Sequence, residues 1–397
     1  MSNQSTSSLY TKTGPFRADH VGSLLRPETL RHARSRYQNG VIGLDDLLRI
    51  EDEEIRKVVA KQVETGLKSA TDGEFRRAYW HYDFLERLNG FEGFSPRNEA
   101  RYTFKHGENN VPAYDIRNIG KISFDHQHPF IENFKFLKSV VDGYEGVVAK
   151  QTIPSPNQLL HELLHEELRN KEIYPDFRDF VEDISRAYRD VVSAFYDAGC
   201  RYLQLDDVHW ASLASVELWK DGKNAYSEFT REEMIEFALY TVNKVLEDKP
   251  EDLVITTHVC RGNFKSSWAY SGGYEPVAAA LLGKANIDGF FLEYDTDRAG
   301  DFAPLRHLER KDARVVLGLF TSKTGELEER DAILRRIEEA ARYVPLEQLA
   351  ISPQCGFSST EEGNLLSEEE QWGKLRHIVD LSREVWGQAR DEREGNE

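Results

Sequence analysis

The sequence has little cysteine, with only three residues, at positions 200, 260 and 355 of a 397-residue chain. Three cysteines so far apart do not form the disulfide framework of a small secreted domain, and they favour a reducing compartment such as the cytoplasm. The chain also lacks an apolar run near the roughly 20 residues that cross a bilayer. Residues 1–14 have no apolar core of the secretory-signal type. We therefore expect a cytoplasmic protein with no membrane partner.

Positive charge is the second shortage. Lys and Arg number 51 against 69 Asp and Glu, which gives a formal net charge of -18. Such an excess of acid opposes the phosphate backbone of nucleic acids, so we expect small-molecule substrates and no nucleic acid partner. The oligomeric state stays open, and a homo-oligomer is compatible with the sequence.

The strand-like segments predict the fold. Eight short apolar segments end in polar residues, and stretches with helical periodicity separate most of them. Eight alternating strands and helices are typical of a (β/α)8 TIM barrel, an α/β fold in which the chemistry gathers at the carboxyl ends of the strands. The predicted strands are 18–24, 69–75, 146–153, 202–207, 254–260, 289–295, 315–321 and 349–355.

The domain organisation follows from the same pattern. We predict a disordered tail over 1–14, one catalytic barrel over 15–387 and a charged tail over 388–397. A long insertion after the second strand, residues 76–145, exceeds what a barrel loop requires. Its segment 101–124 resembles a hairpin, so the insertion is expected to form a lid or an antiparallel excursion.

Four residues at predicted strand ends have the chemistry of a metal site. His258 and Cys260 are two residues apart on one strand, so their side chains point to the same face. Glu293 and Cys355 end two later strands. Two thiolates, an imidazole and a carboxylate form a ligand set that suits zinc. A thiolate-rich zinc at strand ends is suited to binding a substrate thiol as its thiolate, which makes thiol alkylation the leading chemistry.

The motifs at the strand ends resemble those of the cobalamin-independent methionine synthase family in its short, single-barrel form. The similarity covers nearly the whole chain, and the order H-x-C, Glu, C-G is specific in combination. The segments that carry it are HVGSLLRP at 20–27, DGEF, QLDD, HVCRGN, GGYEP, FLEYD, TSK and SPQCG.

The resemblance implies specific roles for these residues. His258, Cys260, Glu293 and Cys355 would be the zinc ligands and the catalytic set. Glu74 and Asp206 would hold the amino group of homocysteine, and Ser23 would lie beside its carboxylate; Asp72 of the same DGEF motif is grouped with them as substrate-binding. The implied activity is zinc-dependent S-methylation of homocysteine, with a small thiol and a methyl or alkyl donor as partners.

The motifs that would bind the methyl donor depart from the family pattern. Long-form members have an Asn-Trp after the third strand and a histidine after the seventh, whereas this chain has QTIPSPNQ and then Phe320, Thr321 and Ser322. A smaller, non-folate electrophile is therefore expected, unless an aromatic such as Trp80, Tyr82 or Trp210 supplies a platform. Alkyl transfer of the epoxyalkane:coenzyme M transferase type is the alternative reaction.

Other interpretations of these residues stay open at this point. Residues 161–165, HELLH, match the H-E-x-x-H motif of helical zinc hydrolases. The barrel could also hold a metal without catalysis. Asp206 and Asp207 could cap a helix, and Asp72 and Glu74 could belong to a solvated loop. Cys200 is expected to be a core residue.

Overall fold

A parallel β-sheet forms the centre of the molecule. The computed structural model describes residues 13–95, 104, 114–164 and 168–394, without the side chains of 388–394. Seven strands pair side by side in the order β1-β4-β5-β6-β7-β8-β9, and each pair is parallel. These strands are β1 Ser69–Ala70, β4 Val148–Pro154, β5 Tyr202–Asp207, β6 Val254–Val259, β7 Gly289–Glu293, β8 Arg314–Phe320 and β9 Leu349–Pro353.

Helices flank the curled sheet. The long helices bury their apolar residues. Strands β4 to β9 are buried along almost their whole length, as expected for parallel strands covered on both sides. The helices are α1 Glu28–Gln38, α2 Leu44–Thr65, α3 Tyr82–Leu85, α4 Pro129–Val141, α5 Pro156–Glu162, α6 Phe177–Asp197, α7 His209–Ala214, α8 Arg231–Val245, α9 Glu275–Lys284, α10 Arg330–Ala340 and α11 Glu368–Glu394. This arrangement confirms the predicted TIM-barrel-like fold.

The first predicted strand, 18–24, is not a regular strand. Ala18 makes a single parallel bridge to Ile351 of β9, and the Leu24 N–H donates to the Gly73 carbonyl beyond β1 at 3.1 Å. The segment therefore lies between the two edge strands and contacts both. Side chains add to these backbone hydrogen bonds: Thr71 Oγ1, for example, donates to the Gly22 carbonyl at 2.6 Å.

The inserted interval 76–145 contains a small antiparallel sheet. Strand β2, Asn89–Phe94, pairs with β3, Asp115–Ser123. Within the described residues, the predicted hairpin segment 101–124 supplies β3, whose partner β2 lies upstream of that segment. Residues 96–103 and 105–113 lie outside the described part of the chain, and so do residues 1–12 of the predicted N-terminal tail.

Within the described residues, no helix is long and apolar enough to cross a membrane. The last helix continues to Glu394, past the boundary predicted at 388.

A buried carboxylate connects the segment 16–24 to the sheet. The carboxylate of Asp19 accepts hydrogen bonds from Ser69 Oγ at 2.9 Å and Tyr202 Oη at 2.8 Å. Lys150 Nζ lies 3.3 Å away, and both side chains of this ion pair are completely buried. Burial alone would raise the pKa of Asp19, but Lys150 and the hydrogen bonds hold it below its ordinary value. One side chain thus joins the N-terminal segment to β1, β4 and β5.

Replacing Asp19 with Ala should destabilise the fold strongly, because Lys150 would remain buried without its counter-charge. We expect a loss of about 3 to 5 kcal/mol in the free energy of unfolding, measured by urea denaturation. Asp248→Ala is the control, since Asp248 pairs with Arg189 at an exposed site and should cost less than about 1 kcal/mol. Equal losses in the two variants would contradict the role of Asp19.

Candidate active site

The structure brings the four predicted metal ligands together. One potential ligand atom from each of His258, Cys260, Glu293 and Cys355 lies within 4.8 Å of every other, and all four residues are buried. The two sulfur atoms are 3.5 Å apart. Such a cluster is compact enough to surround a single ion.

The edge of the sheet positions these ligands. His258 belongs to β6 and Glu293 ends β7, whereas Cys260 lies one residue after β6 and Cys355 two residues after β9. The Cys260 N–H donates to the Asp207 carbonyl at 2.8 Å, which extends the pairing of β5 and β6 by one residue. The ligands thus stand at the carboxyl edge, where parallel strands meet.

The donor set fits a zinc ion. Neither ring nitrogen of buried His258 makes a hydrogen bond within the described residues, and an unsatisfied buried imidazole is costly unless it meets a metal or ligand. The hydrogen bond between the two sulfurs is the main cause that lowers the pKa of Cys355 and raises that of Cys260. The imidazole of His258 also lowers the pKa of Cys355.

The carboxylate of Glu293 is held in place by Arg261 and Arg298. Its Oε1 accepts the Arg261 N–H at 2.9 Å, and its Oε2 lies 3.2 Å from Arg298 Nη2. Arg298 is itself fixed by Asp295 at 2.9 Å. The carboxylate therefore keeps its place at the site through groups outside the ligand set.

Glu74 lies in a buried, strained turn after β1. Its φ is 61°, in the left-handed region that non-glycine residues seldom adopt, and Asp72 Oδ1 stabilises this turn by accepting the Glu74 N–H at 2.8 Å. Thr152 Oγ1 donates to Glu74 Oε1 at 2.8 Å, and Arg77 lies 3.2 Å from the same oxygen. Glu74 Oε2 has no hydrogen-bond partner among the described residues. The solvated-loop interpretation of Asp72 and Glu74 is wrong, since both are buried.

Asp206 stands next to the metal ligands. It pairs in register with His258 across β5 and β6, and Gln204 Nε2 donates to its Oδ1 at 2.7 Å. Burial, together with the nearby charge of Glu74, raises the pKa of Asp206 to about 7, although His258 opposes the shift. Burial also raises the pKa of Glu74. Two buried carboxylates whose pKa values are raised form a site that favours a bound cation.

Asp207 caps the start of α7, the role considered above for Asp206 and Asp207. Its Oδ1 accepts the Trp210 N–H of α7 at 3.1 Å, and Ser155 Oγ donates to its Oδ2 at 2.6 Å. The helix-cap interpretation therefore holds for Asp207 and not for Asp206.

Ser23 lies against the turn that carries Cys355. A Cβ atom added to Gly356 would come 1.9 Å from Ser23 Oγ, and the Phe357 N–H donates to the Ser23 carbonyl at 3.0 Å. The Ser358 N–H approaches Ser23 Oγ at 3.4 Å. Only glycine at position 356 allows this close approach.

Only part of the HELLH segment lies within the described residues. Helix α5 ends at Glu162, and His165 lies outside the described residues. The Glu162 carboxylate is fully buried and accepts Gln158 Nε2 at 2.7 Å, with His81 Nε2 at 3.4 Å. Glu162 is thus occupied by neighbouring side chains rather than directed at a metal.

An aromatic cavity opens beside the metal ligands, and we use this name for it below. It measures about 60 Å³ inside a cleft of about 640 Å³ that includes the opening to solvent. Trp80 and Tyr270 belong to its wall and also pack on the apolar cluster of Val208, Cys260 and Cys355. The lining residues are Tyr79, Trp80, His81, Tyr82, Phe104, Tyr114, Gln158, Val208, Gly262, Asn263, Phe264, Ala269, Tyr270 and Thr360.

Sequence reasoning did not find this cavity. It named Trp80 and Tyr82 only as substitutes for a missing platform, and Trp210, the third, is buried in the core and is not among the lining residues. The run YWHY at 79–82, directly after the second strand, was the available signal. Tyr270 and Phe264 come from another loop, so their approach to this run is a tertiary effect.

A Gly356→Ala substitution should disturb the site locally, because the new methyl group meets Ser23 Oγ. We expect about 1 to 3 kcal/mol of destabilisation in urea denaturation. Gly373→Ala, inside α11 with no atom within 4 Å of the added Cβ, should instead stabilise by about 0.5 to 1 kcal/mol. A neutral Gly356→Ala would show that the two loops are not in contact.

Comparison with known proteins places the chain in a family. Residues 174–383 match the family described as cobalamin-independent synthase, catalytic domain. The uncharacterized protein YxjG of Bacillus subtilis (strain 168) is 47% identical over 394 residues, covering 97% of this chain and 100% of its own. A methionine synthase of Saccharolobus solfataricus is 22% identical over 367 residues, covering 92% and 93%.

A solved structure agrees with this placement. The putative vitamin-B12 independent methionine synthase from Listeria monocytogenes is 45% identical, with a TM-score of 0.75, and the match covers 94% of this chain and 99% of that one. The family match spans more than half of the chain, and the relatives match over nearly their full length. The chain therefore belongs to the cobalamin-independent methionine synthase family of methyltransferases.

Proposed function

We propose that the protein is a zinc-dependent thiol S-methyltransferase whose thiol substrate is homocysteine. The observation that carries this proposal is the cluster of His258, Cys260, Glu293 and Cys355, with ligand atoms within 4.8 Å of one another. A zinc ion bound there would lower the pKa of a substrate thiol from about 8.5, so that a thiolate is available at neutral pH.

The side chains around the cluster would hold the rest of the amino acid. Glu74 and Asp206 are buried carboxylates at the carboxyl ends of β1 and β5, on either side of β4, and the charge of Glu74 helps to raise the pKa of Asp206. An ammonium group between them would relieve that repulsion and complete the hydrogen bonding of Glu74 Oε2. Ser23, beside the turn of Cys355, would donate its hydroxyl to the substrate carboxylate. Asp72 acts through Glu74, whose backbone it fixes.

The same acids argue against the coenzyme M alternative. Coenzyme M carries a sulfonate and no ammonium group, so two buried carboxylates would repel it or remain unpaired. The hydrolase alternative would need Glu162 of the HELLH segment to face a metal-bound water, but its carboxylate is buried against Gln158 and His81. A barrel that holds metal without catalysis would not account for the two buried carboxylates of Glu74 and Asp206.

Localisation in the cytoplasm and assembly into a homo-oligomer stay predictions.

Removing one metal ligand should abolish zinc binding. We expect about one zinc per chain in the purified protein and a Cys355→Ser variant that loses most of it, because three remaining donors bind the ion far more weakly. Elemental analysis measures this directly. Cys200→Ser is the matched control: Cys200 is buried, and Cys200 Sγ donates to the Tyr202 carbonyl at 3.4 Å. Undiminished zinc in Cys355→Ser would contradict the assignment.

Neutralising Glu74 should weaken the binding of homocysteine specifically. We expect Glu74→Gln to cost about 2 to 4 kcal/mol of binding free energy, because the substrate ammonium loses a desolvated counter-charge. Titration calorimetry with homocysteine and with 4-mercaptobutyrate, which lacks the amino group, separates this effect from a general disturbance of the site. An equal loss for both thiols would rule out the ammonium role.

A further inference from the structure

The residues proposed to bind the thiol substrate do not line the aromatic cavity, and the chemistry of the cavity points to the other substrate. This inference rests on the proposed function, since it concerns the methyl donor for the same site. Trp80 and Tyr270 connect the cavity to Cys260 and Cys355 through direct apolar packing. A group bound between these rings therefore lies next to the place where the substrate sulfur is activated.

The walls of the cavity are aromatic and carry no fixed charge. Half of the described lining residues are Trp, Tyr or Phe, and none is Lys, Arg, Asp or Glu. Three of these rings pack against one another and support the wall: Tyr79 stacks on Tyr114 with centroids 5.6 Å apart, and Tyr82 meets Tyr114 edge-on at 5.4 Å. The π faces of such rings attract cations.

Carboxylates stand directly behind these rings. The Tyr114 hydroxyl donates to Glu86, and Tyr82 Oη lies 3.4 Å from Glu162 Oε2. Burial, and then the charges of Glu362, Glu361 and Asp83, raise the pKa of Tyr79 to about 12. The cavity therefore lies in a negative field, which strengthens its preference for a positive group.

Four of the neighbouring cations are committed to the protein; a fifth, the exposed Lys265, has its Nζ 5.3 Å from the ring centroid of Phe264. Arg26 donates to the carbonyls of Ser358 and Glu74 at 2.6 and 2.8 Å. Arg76 pairs with Glu51 at 3.0 Å and also with Asp52. Arg77 bonds to Thr152 and Glu74. Lys323 Nζ donates to Asn263 Oδ1 at 3.1 Å from behind the cavity wall. None of these four is directed at an anionic tail.

We propose that the aromatic cavity binds the onium head of a methyl donor, a sulfonium or a quaternary ammonium group. The inner space of about 60 Å³ has room for roughly four waters, at about 15 Å³ each, and so matches a head of three or four heavy atoms. The wider cleft leaves the remainder of the donor near solvent.

The chemistry balances without any additional reactant. The substrate thiolate attacks the methyl carbon, a new sulfur–carbon bond forms, and the bond from that carbon to the onium atom breaks. The onium atom keeps the electron pair and leaves as a neutral sulfide or tertiary amine, while the thiol proton goes to solvent. The leaving group needs no proton. This agrees with the cavity wall nearest the two cysteines, because the rings of Trp80 and Tyr270 form it.

Calorimetry on the full-length, zinc-loaded protein tests the proposal with an isosteric pair of probes. Choline and 3,3-dimethylbutan-1-ol have the same shape and differ only in charge. We expect choline to bind about tenfold more tightly or better, and Trp80→Leu to remove that preference. Trp386→Leu is the matched control, because Trp386 is a half-buried tryptophan on α11 that packs under Arg17 and does not line the aromatic cavity.

Two further measurements keep the outcome decisive. If Trp80→Leu fails to fold by circular dichroism, Trp80→Phe keeps an aromatic ring and should weaken choline binding about threefold. Transfer of a deuterated methyl group from S-methyl-L-methionine to homocysteine, followed by mass spectrometry, should depend on Trp80 in the same order. Equal affinity for choline and its neutral isostere would overturn the proposal, and so would choline binding that neither Trp80 variant changes.

These results separate the inference from the proposed function. Homocysteine binding and zinc content are measured independently of the donor probes. If both behave as expected while the aromatic cavity binds the neutral isostere equally well, only the onium assignment fails. If zinc or homocysteine binding fails, the proposed function falls, whatever the cavity binds.

Discussion

The buried ion pair of Asp19 and Lys150 is the interaction on which the rest of the structure depends. The segment 16–24 has only one regular bridge to the sheet, at Ala18, so backbone pairing alone does not hold it in place. Asp19 supplies the missing attachments, to Ser69, Lys150 and Tyr202 on three different strands. Because Ser23 follows four residues later and touches the turn of Cys355, the position of this segment also fixes Ser23 against that turn.

The sequence was a good guide wherever function follows from the parallel sheet itself. His258 and Glu293 could be placed because parallel strands end at a common edge, and Cys260 and Cys355 remain there although both lie just past the regular strands. The first strand could not be predicted correctly, since an apolar, strand-like segment such as 18–24 is the same in sequence whether its partners are backbone groups or side chains. Strand periodicity reports burial, and it does not report which groups provide the hydrogen bonds.

Local motifs were least reliable where tertiary contacts decide the outcome. HELLH has the letters of a metal site, but α5 ends at Glu162, and the glutamate is surrounded by Gln158, His81 and Tyr82. The aromatic cavity shows the opposite case, because no single motif announces it. Trp80 and Tyr270 are 190 positions apart in the numbering of the chain, and only the fold brings them to the two cysteines. Neither outcome follows from residue spacing.

The charges around the site explain why a chain of net charge -18 would suit this chemistry. The positive side chains near the strand ends serve the architecture: Arg26 joins the loops of Leu24, Glu74 and Ser358 through their carbonyls. What remains for substrates is negative on one side, at Glu74 and Asp206, and aromatic with carboxylates behind it on the other. Both halves would therefore favour positive groups, the ammonium of the proposed thiol substrate and the onium head of the proposed donor. Carboxylates on both sides would repel a polyanionic donor. Arg26, Arg76, Arg77 and Lys323 would not bind its charges, because all four are engaged by groups of the protein.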